Sequence, residues 1–322
     1  KNIALTCLIN TQHLFKDTLM SRNIDQFFDL NFLLFRVSDR NKNFVLMLTF
    51  ILMIWFTVSC SNDMDRFAKH LEKGKESLQA GELKKAEIEL KNALQISVEH
   101  AESYYLLGET YLRQGSAREA FQSYRKAVNL KPEYPEAQLR LATFYSGAGR
   151  TEEAIAACQS VLKQNPDSIR ALMIYARSLA LQKKYDKAAE KAREAIDKAP
   201  ENIEARILLG QSLASAQKVD AAEQAFKQAA RIDTKTPRPD YQLVRLYAVT
   251  GKAGQAEQTL QEIVRDFPED PVHSANLARL YLSLGSPDKA EAELLNGIDK
   301  DPRETNLYNF LAKLYLRQNK VE

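Results

Sequence analysis

Residues 101–134 read AESYYLLGETYLRQGSAREAFQSYRKAVNLKPEY, and the same pattern of residue sizes returns every 34 residues along most of the chain. Seven consecutive blocks of this length, with no insertion between them, fill residues 67–304. A fixed period of about 20–50 residues is typical of repeat proteins built from one supersecondary unit. The sequence therefore predicts seven equivalent units, and residues 305–322 are expected to form the first helix of a truncated eighth unit.

Small side chains recur at fixed places in each unit. The twentieth position is alanine in all seven units, and the eighth is glycine or alanine in nearly all, with Val244 as the exception. Two antiparallel helices approach to about 8–10 Å only where the side chains at the crossing are small. We therefore expect helix pairs in which the alanine at the twentieth position meets the small residue at the eighth. The eleventh position is tyrosine in five blocks, and its ring is expected to fill the space beside this contact.

Turn residues fall between the expected helices. Glycine occupies the fifteenth position in five units, where a left-handed residue suits the end of a helix. Proline occupies the thirty-second position in five units. It ends the second helix because it has no N–H and disfavours helix at the residue before it. The whole chain has 11 glycines and 10 prolines, too few for a protein built on many tight β-turns.

The second unit resembles the tetratricopeptide repeat (TPR). The matching residues are Tyr104, Leu107, Gly108, Tyr111, Ala120, Tyr124, Ala127 and Pro132. The resemblance implies an all-α TPR solenoid, a right-handed superhelix of antiparallel helix pairs whose first helices line a concave face. It also implies a role in protein binding without catalysis.

A region of different character precedes the repeats. Residues 44–58 form an uncharged apolar run, and Arg36, Arg40 and Lys42 lie just before it, as in the charged end and apolar core of a secretory signal. The run ends in TVSC at residues 57–60, with threonine where leucine is usual. This sequence resembles the lipobox of bacterial lipoproteins. A signal or anchor segment over 44–60 is therefore expected.

The lipobox resemblance implies that Cys60 is lipidated and tethers a periplasm-facing protein to the cell envelope. Ser61 at the next position favours the outer membrane. An uncleaved membrane anchor and simple secretion are the alternatives. Residues 1–43 are assigned to an N-terminal extension without a function, and residues 61–66 to a linker.

The start of the array suggests a cellular system. After the lipobox-like segment, AEIELKNALQ at residues 86–95 resembles TPR lipoproteins of bacterial exosortase and exopolysaccharide systems. This implies a scaffold that assists assembly or export of a cell-surface polysaccharide. Two alternatives stay open: the TPR region of a larger protein with a missing catalytic domain such as a glycosyltransferase, and a pilus or outer-membrane assembly lipoprotein. The first rests on the last helix, where Leu307, Leu311 and Leu314 are expected to lack a covering partner.

Signals for chemistry are weak. The four histidines have no ligand spacing to another histidine or cysteine. Cys158 stands at the twenty-fourth position, which is mostly apolar or aromatic elsewhere, and is expected to be a buried thiol. The formal net charge is +3, so no large single-sign field favours nucleic acid. We expect no catalytic residue, metal, cofactor or nucleic-acid partner, and the oligomeric state stays open.

The candidate binding face is read from the second, fifth and ninth positions of the first helices. Its C-terminal half is basic, with aromatic and thioether neighbours. Because arginine pairs carboxylates through two parallel hydrogen bonds, the expected partner is a protein or peptide segment that is acidic or ends in a carboxylate. The alternative is a solvated face whose arginine stems cover apolar surface. The predicted partner-binding residues are Tyr105, Arg170, Met173, Arg177, Arg238, Tyr241, Arg245, Arg279 and Lys313.

Overall fold

The computed structural model describes residues 63–318. The chain divides into two compact units, residues 1–70 and 71–322. In the first unit, the described residues 63–70 are helical, so residues 63–66 of the segment assigned to a linker form helix. The expectations for the N-terminal extension, the apolar run and Cys60 lie outside the described residues.

The described part of the second unit is made of helices joined by short turns, and it contains no strand. The helices are α1 (71–79), α2 (Leu83–Ile96), α3 (Ala101–Arg113), α4 (Ala117–Leu130), α5 (Pro135–Gly147), α6 (Thr151–Gln164), α7 (Ile169–Leu181), α8 (Tyr185–Lys198), α9 (Ile203–Ser215), α10 (Val219–Ile232), α11 (Arg238–Val249), α12 (Ala253–Asp266), α13 (Val272–Ser283), α14 (Pro287–Lys300) and α15 (Thr305–Arg317).

From α2 to α15, neighbouring helices pack in chain order, so each odd-numbered helix from α3 to α13 pairs with the even-numbered helix that follows it. The odd-numbered helices are the first helices of the repeats. In the middle of the array they also contact one another directly, as α5 with α7, α7 with α9 and α9 with α11. The first helices therefore form a row of their own, and the predicted all-α solenoid is confirmed.

The small residues at the eighth and twentieth positions have separate roles. Every alanine at the twentieth position is fully buried. The eighth position, however, faces the twenty-fourth position of the same unit. A Cβ atom added to Gly108 would lie 2.6 Å from Cε1 of Tyr124, and one added to Gly210 would lie 2.6 Å from Cδ1 of Phe226. The small residue thus makes room for a large side chain of the second helix, a contact that was not expected from the sequence.

The fifteenth position is left-handed in all seven units. Five of these residues are glycine, and the other two are Lys183 with φ 60° and Gln217 with φ 62°. A residue with a Cβ atom costs about 1–2 kcal/mol in this conformation. The turn geometry therefore belongs to the repeat, and it persists where the sequence does not supply glycine.

Replacing Lys183 with glycine is expected to raise the free energy of unfolding by about 1 kcal/mol, because glycine adopts the left-handed conformation without the steric cost. Thermal denaturation followed by circular dichroism measures the change. Lys184→Gly is the matched control, since Lys184 has φ −86°. Equal melting temperatures for the two variants would contradict the prediction.

Two tyrosines at the eleventh position form hydrogen bonds with the preceding unit. The hydroxyl of Tyr111 donates to Oε1 of Glu87 at 3.3 Å, and that of Tyr315 donates to Oε1 of Glu291 at 2.9 Å. Both glutamates are at the twenty-first position of the preceding unit. The tyrosine is therefore more than the space-filling ring expected from the sequence.

The carboxylate of Glu223 is a pH-sensitive example of these junctions. It accepts hydrogen bonds from Nζ of Lys227 at 2.8 Å and from Nζ of Lys252 at 3.2 Å. The bond from Lys227, with further ones from Tyr247 and Lys252, lowers the pKa of Glu223 below its ordinary 4.5. Because the folded state favours the ionised form, this stabilisation is present above pH 4.5 and is lost as the pH falls through the lowered pKa.

Glu223→Gln is accordingly expected to flatten the acid limb of the stability profile. The wild-type melting temperature should fall more steeply than that of the variant as the pH is lowered below about 5. Calorimetry at a series of pH values tests this, and parallel curves for the two proteins would refute it.

The last helix, α15, is covered on its inner side. Leu307, Leu311 and Leu314 are buried, and they pack with Leu277 and Leu294 of the preceding unit. The expectation that these three leucines lack a partner is therefore wrong. Their burial comes from the seventh unit, because each first helix packs on the second helix before it.

Candidate functional site

Two grooves separate the first helices of the last three blocks. One lies between α11 and α13 and has a volume of about 420 Å³; it is lined by Tyr241, Val244, Arg245, Leu260, Asn276, Arg279, Leu280 and Ser283. The other lies between α13 and α15 and has a volume of about 650 Å³; it is lined by Pro271, Val272, Ala275, Arg279, Glu304, Asn306, Leu307, Asn309, Phe310 and Lys313. Arg279 lines both grooves. Four of the predicted partner-binding residues, Tyr241, Arg245, Arg279 and Lys313, are brought together here.

The cations along these grooves occupy equivalent positions. Arg245, Arg279 and Lys313 are the ninth residues of three consecutive blocks, and all three are exposed. None forms an ion pair with a carboxylate of residues 63–318. The ninth residue of the first unit, Lys75, instead pairs with Glu102 at 2.9 Å. The C-terminal row therefore presents positive charge that the described chain leaves uncompensated.

Arg279 is held in place by a chain of hydrogen bonds. Its Nη1 donates to Oδ1 of Asn276 at 2.9 Å, and its guanidinium lies 5.6 Å from the ring centre of Phe310. Nδ2 of Asn276 donates to the hydroxyl of Tyr241 at 3.0 Å. That hydroxyl is 2.7 Å from Nδ1 of His273.

The direction of the hydrogen bond between Tyr241 and His273 depends on the tautomer of His273. Its side chain is buried, and burial lowers its pKa below the ordinary 6.5, so the ring is neutral at pH 7. In the neutral tautomer with its proton on Nε2, Nδ1 accepts from the hydroxyl of Tyr241; in the other tautomer Nδ1–H donates to that hydroxyl. Sequence reasoning missed the hydrogen bond between His273 and Tyr241 because the two residues are 32 apart and stand at different positions of the 34-residue repeat.

The other five predicted partner-binding residues lie outside the grooves. Arg170 and Arg177 are exposed but line neither groove. Arg238 forms an ion pair with Glu204 at 3.1 Å, which compensates its charge. Met173 is partly buried and packs against the apolar clusters between α7, α8 and α9. Of the basic residues expected along the C-terminal half, those that line the two grooves are Arg245, Arg279 and Lys313.

Tyr105 belongs to a separate polar cluster in the second and third units. Its ring lies 5.2 Å from that of Tyr134 and 5.9 Å from that of Tyr124. Beside these rings, Glu109 accepts hydrogen bonds from the hydroxyl of Tyr124 at 2.7 Å and from Nε of Arg140 at 2.6 Å. Burial raises the pKa of Tyr124, as does its bond to Glu109, so Tyr124 is a neutral donor. The charge of Glu109 is thus compensated within the chain.

Metal-binding clusters and the thiol of Cys158 are the next features of the described residues. Between residues 63 and 318, no group of three or more histidine, cysteine, aspartate or glutamate residues could hold a metal ion. Cys158 is fully buried, as predicted, and burial raises the pKa of its thiol to about 12. It is therefore protonated at neutral pH and a poor nucleophile. None of the helices in the same range combines the length and the hydropathy that a bilayer crossing requires.

Comparisons with solved structures agree on the architecture. A tetratricopeptide repeat protein from Parabacteroides merdae is 19% identical with a TM-score of 0.60, over 78% of this chain and 99% of that one. PilW, a type IV pilus biogenesis factor, is 18% identical with a TM-score of 0.57, over 63% of this chain and 94% of that one. PilF of Pseudomonas aeruginosa is 18% identical with a TM-score of 0.54, over 68% and 99%. At these identities the likeness shows the fold.

Family models match the sequence itself. The TPR domain of cytochrome c-type biogenesis protein H matches residues 58–195. A tetratricopeptide repeat model matches residues 179–242, 213–275 and 250–314. No curated protein matches the chain. Since the two models, both of tetratricopeptide repeats, together span residues 58–314, this chain belongs to the tetratricopeptide repeat proteins.

Proposed function

We propose that this protein is a non-catalytic scaffold of the bacterial cell envelope. It binds an acidic protein or peptide segment in the grooves between α11, α13 and α15. The observation that carries the proposal is the row of Arg245, Arg279 and Lys313, exposed and without carboxylate partners in the described chain, beside two apolar-floored grooves. TPR arrays use the extended surface of their stacked units to hold partners. An exposed cation next to apolar surface suits a segment that is both acidic and apolar.

The proposed location is the periplasmic side of the envelope, with the protein anchored by a lipid on Cys60. Its support is the lipobox-like TVSC sequence after an apolar run. Several acyl chains on one cysteine give stable membrane binding, whereas a single chain gives marginal binding. The outer membrane is the favoured membrane because serine follows the cysteine.

The proposed system is the assembly or export of a cell-surface polysaccharide, on the resemblance of residues 86–95 to exosortase-associated TPR lipoproteins. A second candidate is pilus assembly, which the fold likeness to the pilus biogenesis factor PilW supports. Both candidates are assembly roles, so the same binding experiment applies to both. The identity of the captured partner distinguishes them.

Site-specific photo-crosslinking in the native bacterium tests the binding face. A photoreactive amino acid is placed at Ser283 in one groove, at Asn309 in the other, and at Gln258 on the exposed side of α12 as a control. One common adduct is expected at both groove positions and not at the control. Charge reversal of Arg245 and Arg279 to glutamate should remove it, whereas Arg177→Glu should not. Identical adducts at all three positions would reject the proposal.

Metabolic labelling with a fatty-acid analogue tests the anchor separately. Wild-type protein is expected to take up the label and to sediment with membranes. Cys60→Ala is expected to lose the label. Equal labelling of the two proteins would exclude lipidation at this cysteine.

A further inference from the structure

We infer that the segment bound here is extended and carries an acidic side chain between two apolar ones at alternate positions, apolar-x-acidic-x-apolar, with the carboxylate on Arg279 and one apolar side chain in each groove. The inference rests on the proposed function and adds the chemistry of the partner.

The apolar positions follow from the floors of the grooves. Val244 and Leu280 are partly exposed in the groove between α11 and α13, and Phe310 is partly exposed in the groove between α13 and α15. Volumes of about 420 and 650 Å³ lie within the range of about 300–1,000 Å³ that is usual for ligand pockets. Such floors gain stability when an apolar side chain removes them from water.

The acidic position follows from the place of Arg279. It is the residue common to both grooves, so a ligand that fills both must pass its guanidinium. Its bond to Asn276 uses Nη1 and leaves other N–H donors of the guanidinium for a carboxylate. Glu304, the acidic residue of the second groove, is engaged as the cap of α15, where it accepts from the backbone N–H of Asn306. The ligand therefore supplies the carboxylate that the chain does not.

The extended conformation follows from distance. The two grooves lie on either side of α13, and a helix with its side chains is about 10–12 Å across. Residues i and i+4 of an extended chain point to the same side and are about 13 Å apart. Four residues of a helix advance only about 6 Å. An extended segment of five residues therefore reaches both grooves, whereas a helix would need side chains seven residues apart, about 10.5 Å along its axis.

Asn276 is assigned as a positioning residue for Arg279. It accepts from the guanidinium with its carbonyl and donates to Tyr241 with its amide, and Tyr241 in turn meets the buried His273. Both bonds of Asn276 have a defined direction, since its carbonyl accepts and its amide donates. The network therefore restricts Arg279 to the orientation in which it lies over Phe310 at the boundary of the grooves.

Fluorescence anisotropy with synthetic peptides tests the inference on the full chain in detergent. The probe is a fluorescein-labelled peptide with the core Leu-Ser-Glu-Ser-Leu, and the comparison peptides carry glutamine or lysine at the centre. We expect at least tenfold weaker binding for glutamine and weaker still for lysine. A peptide with the same residues held helical by a side-chain crosslink should bind less tightly than the extended one.

The protein variants assign the preference to residues. Arg279→Gln is expected to abolish the preference for glutamate over glutamine, and Asn276→Ala to reduce that preference severalfold. Arg177→Gln is the matched control and should bind as the wild type does. Circular dichroism confirms that each variant is folded.

The outcomes separate the two proposals. Equal binding of the glutamate and glutamine peptides, or an intact preference in Arg279→Gln, overturns this inference and leaves the groove crosslinks standing. Absence of binding by every peptide, with the crosslinks still present, overturns it likewise. If the crosslinked partner is a second copy of this chain, the inference of a separate partner fails. Loss of the groove-specific crosslinks themselves removes the proposed function.

Discussion

Replacing Arg140 with alanine is expected to lower the free energy of unfolding by about 3 kcal/mol. Arg140 holds both carboxylate oxygens of Glu109, through Nε at 2.6 Å and Nη2 at 2.5 Å. Glu109 is only 9% exposed, so the substitution leaves a buried charge whose main remaining partner is the hydroxyl of Tyr124. Removing one member of a buried pair costs more than the pair itself contributes, because the other member stays desolvated.

Two comparisons isolate this cause. Arg150→Ala removes the partner of Glu153 in an exposed pair, and we expect a much smaller loss of stability. The double variant Glu109→Leu with Arg140→Met removes both charges and is expected to regain most of the stability that Arg140→Ala loses. Urea denaturation of the four proteins measures these values. A loss for Arg140→Ala no larger than that for Arg150→Ala would show that the pair is not a buried one.

The destabilisation caused by Arg140→Ala should also be confined to the units next to the substitution. In a repeat array each unit contacts mainly its neighbours, so stability is approximately a sum of unit and junction contributions. Hydrogen exchange should therefore accelerate in α3 to α6 of Arg140→Ala before it does so in α11 to α15. This separation allows the variant to serve as a control for the binding grooves, which it does not touch.

The residue types that recur at the same position of each repeat predict the architecture well. Every helix pair requires a small buried residue at the twentieth position and a left-handed turn residue at the fifteenth. Each feature therefore occupies one fixed position in all seven units. The period also places Arg245, Arg279 and Lys313 in one row. Each of these features depends on the residue type at one position of the repeat, and comparing the units position by position is enough to find it.

The features that the sequence did not predict depend on pairs of residues from different units. Arg238 has the size and charge of a binding residue, but its charge is compensated by Glu204 in the same column of the preceding unit. Glu109 and Arg140 are in different columns and 31 residues apart. Whether such side chains meet depends on how one unit packs on the next. A repeat position that carries basic residues can therefore have its charge compensated in the folded protein.

Gly210→Ala is expected to destabilise the protein by about 1–3 kcal/mol, although alanine is the better helix former. Gly210 lies within α9, where exchange for alanine would ordinarily gain about 0.5–1 kcal/mol. Here the new Cβ atom would lie 2.6 Å from Cδ1 of the Phe226 ring. Phe226 is 1% exposed and cannot swing into solvent, so overpacking outweighs the helix propensity.

Gly254→Ala is the matched control. Gly254 is also helical, and a Cβ atom added there meets nothing within 4 Å. This variant should be as stable as the wild type or slightly more stable. If Gly210→Ala gains stability as well, the close approach of the eighth and twenty-fourth positions does not constrain the sequence.

A second substitution tests the pairing directly. The seventh unit combines Ala278 at the eighth position with Leu294 at the twenty-fourth, and both are fully buried. Adding Phe226→Leu to Gly210→Ala reproduces that combination in the fifth unit. The double variant is expected to be more stable than the sum of the two single losses predicts, since the smaller side chain opens the space that the new methyl group needs. Strict additivity in urea denaturation would mean that the two positions are independent, and the size of the eighth residue would then need another explanation.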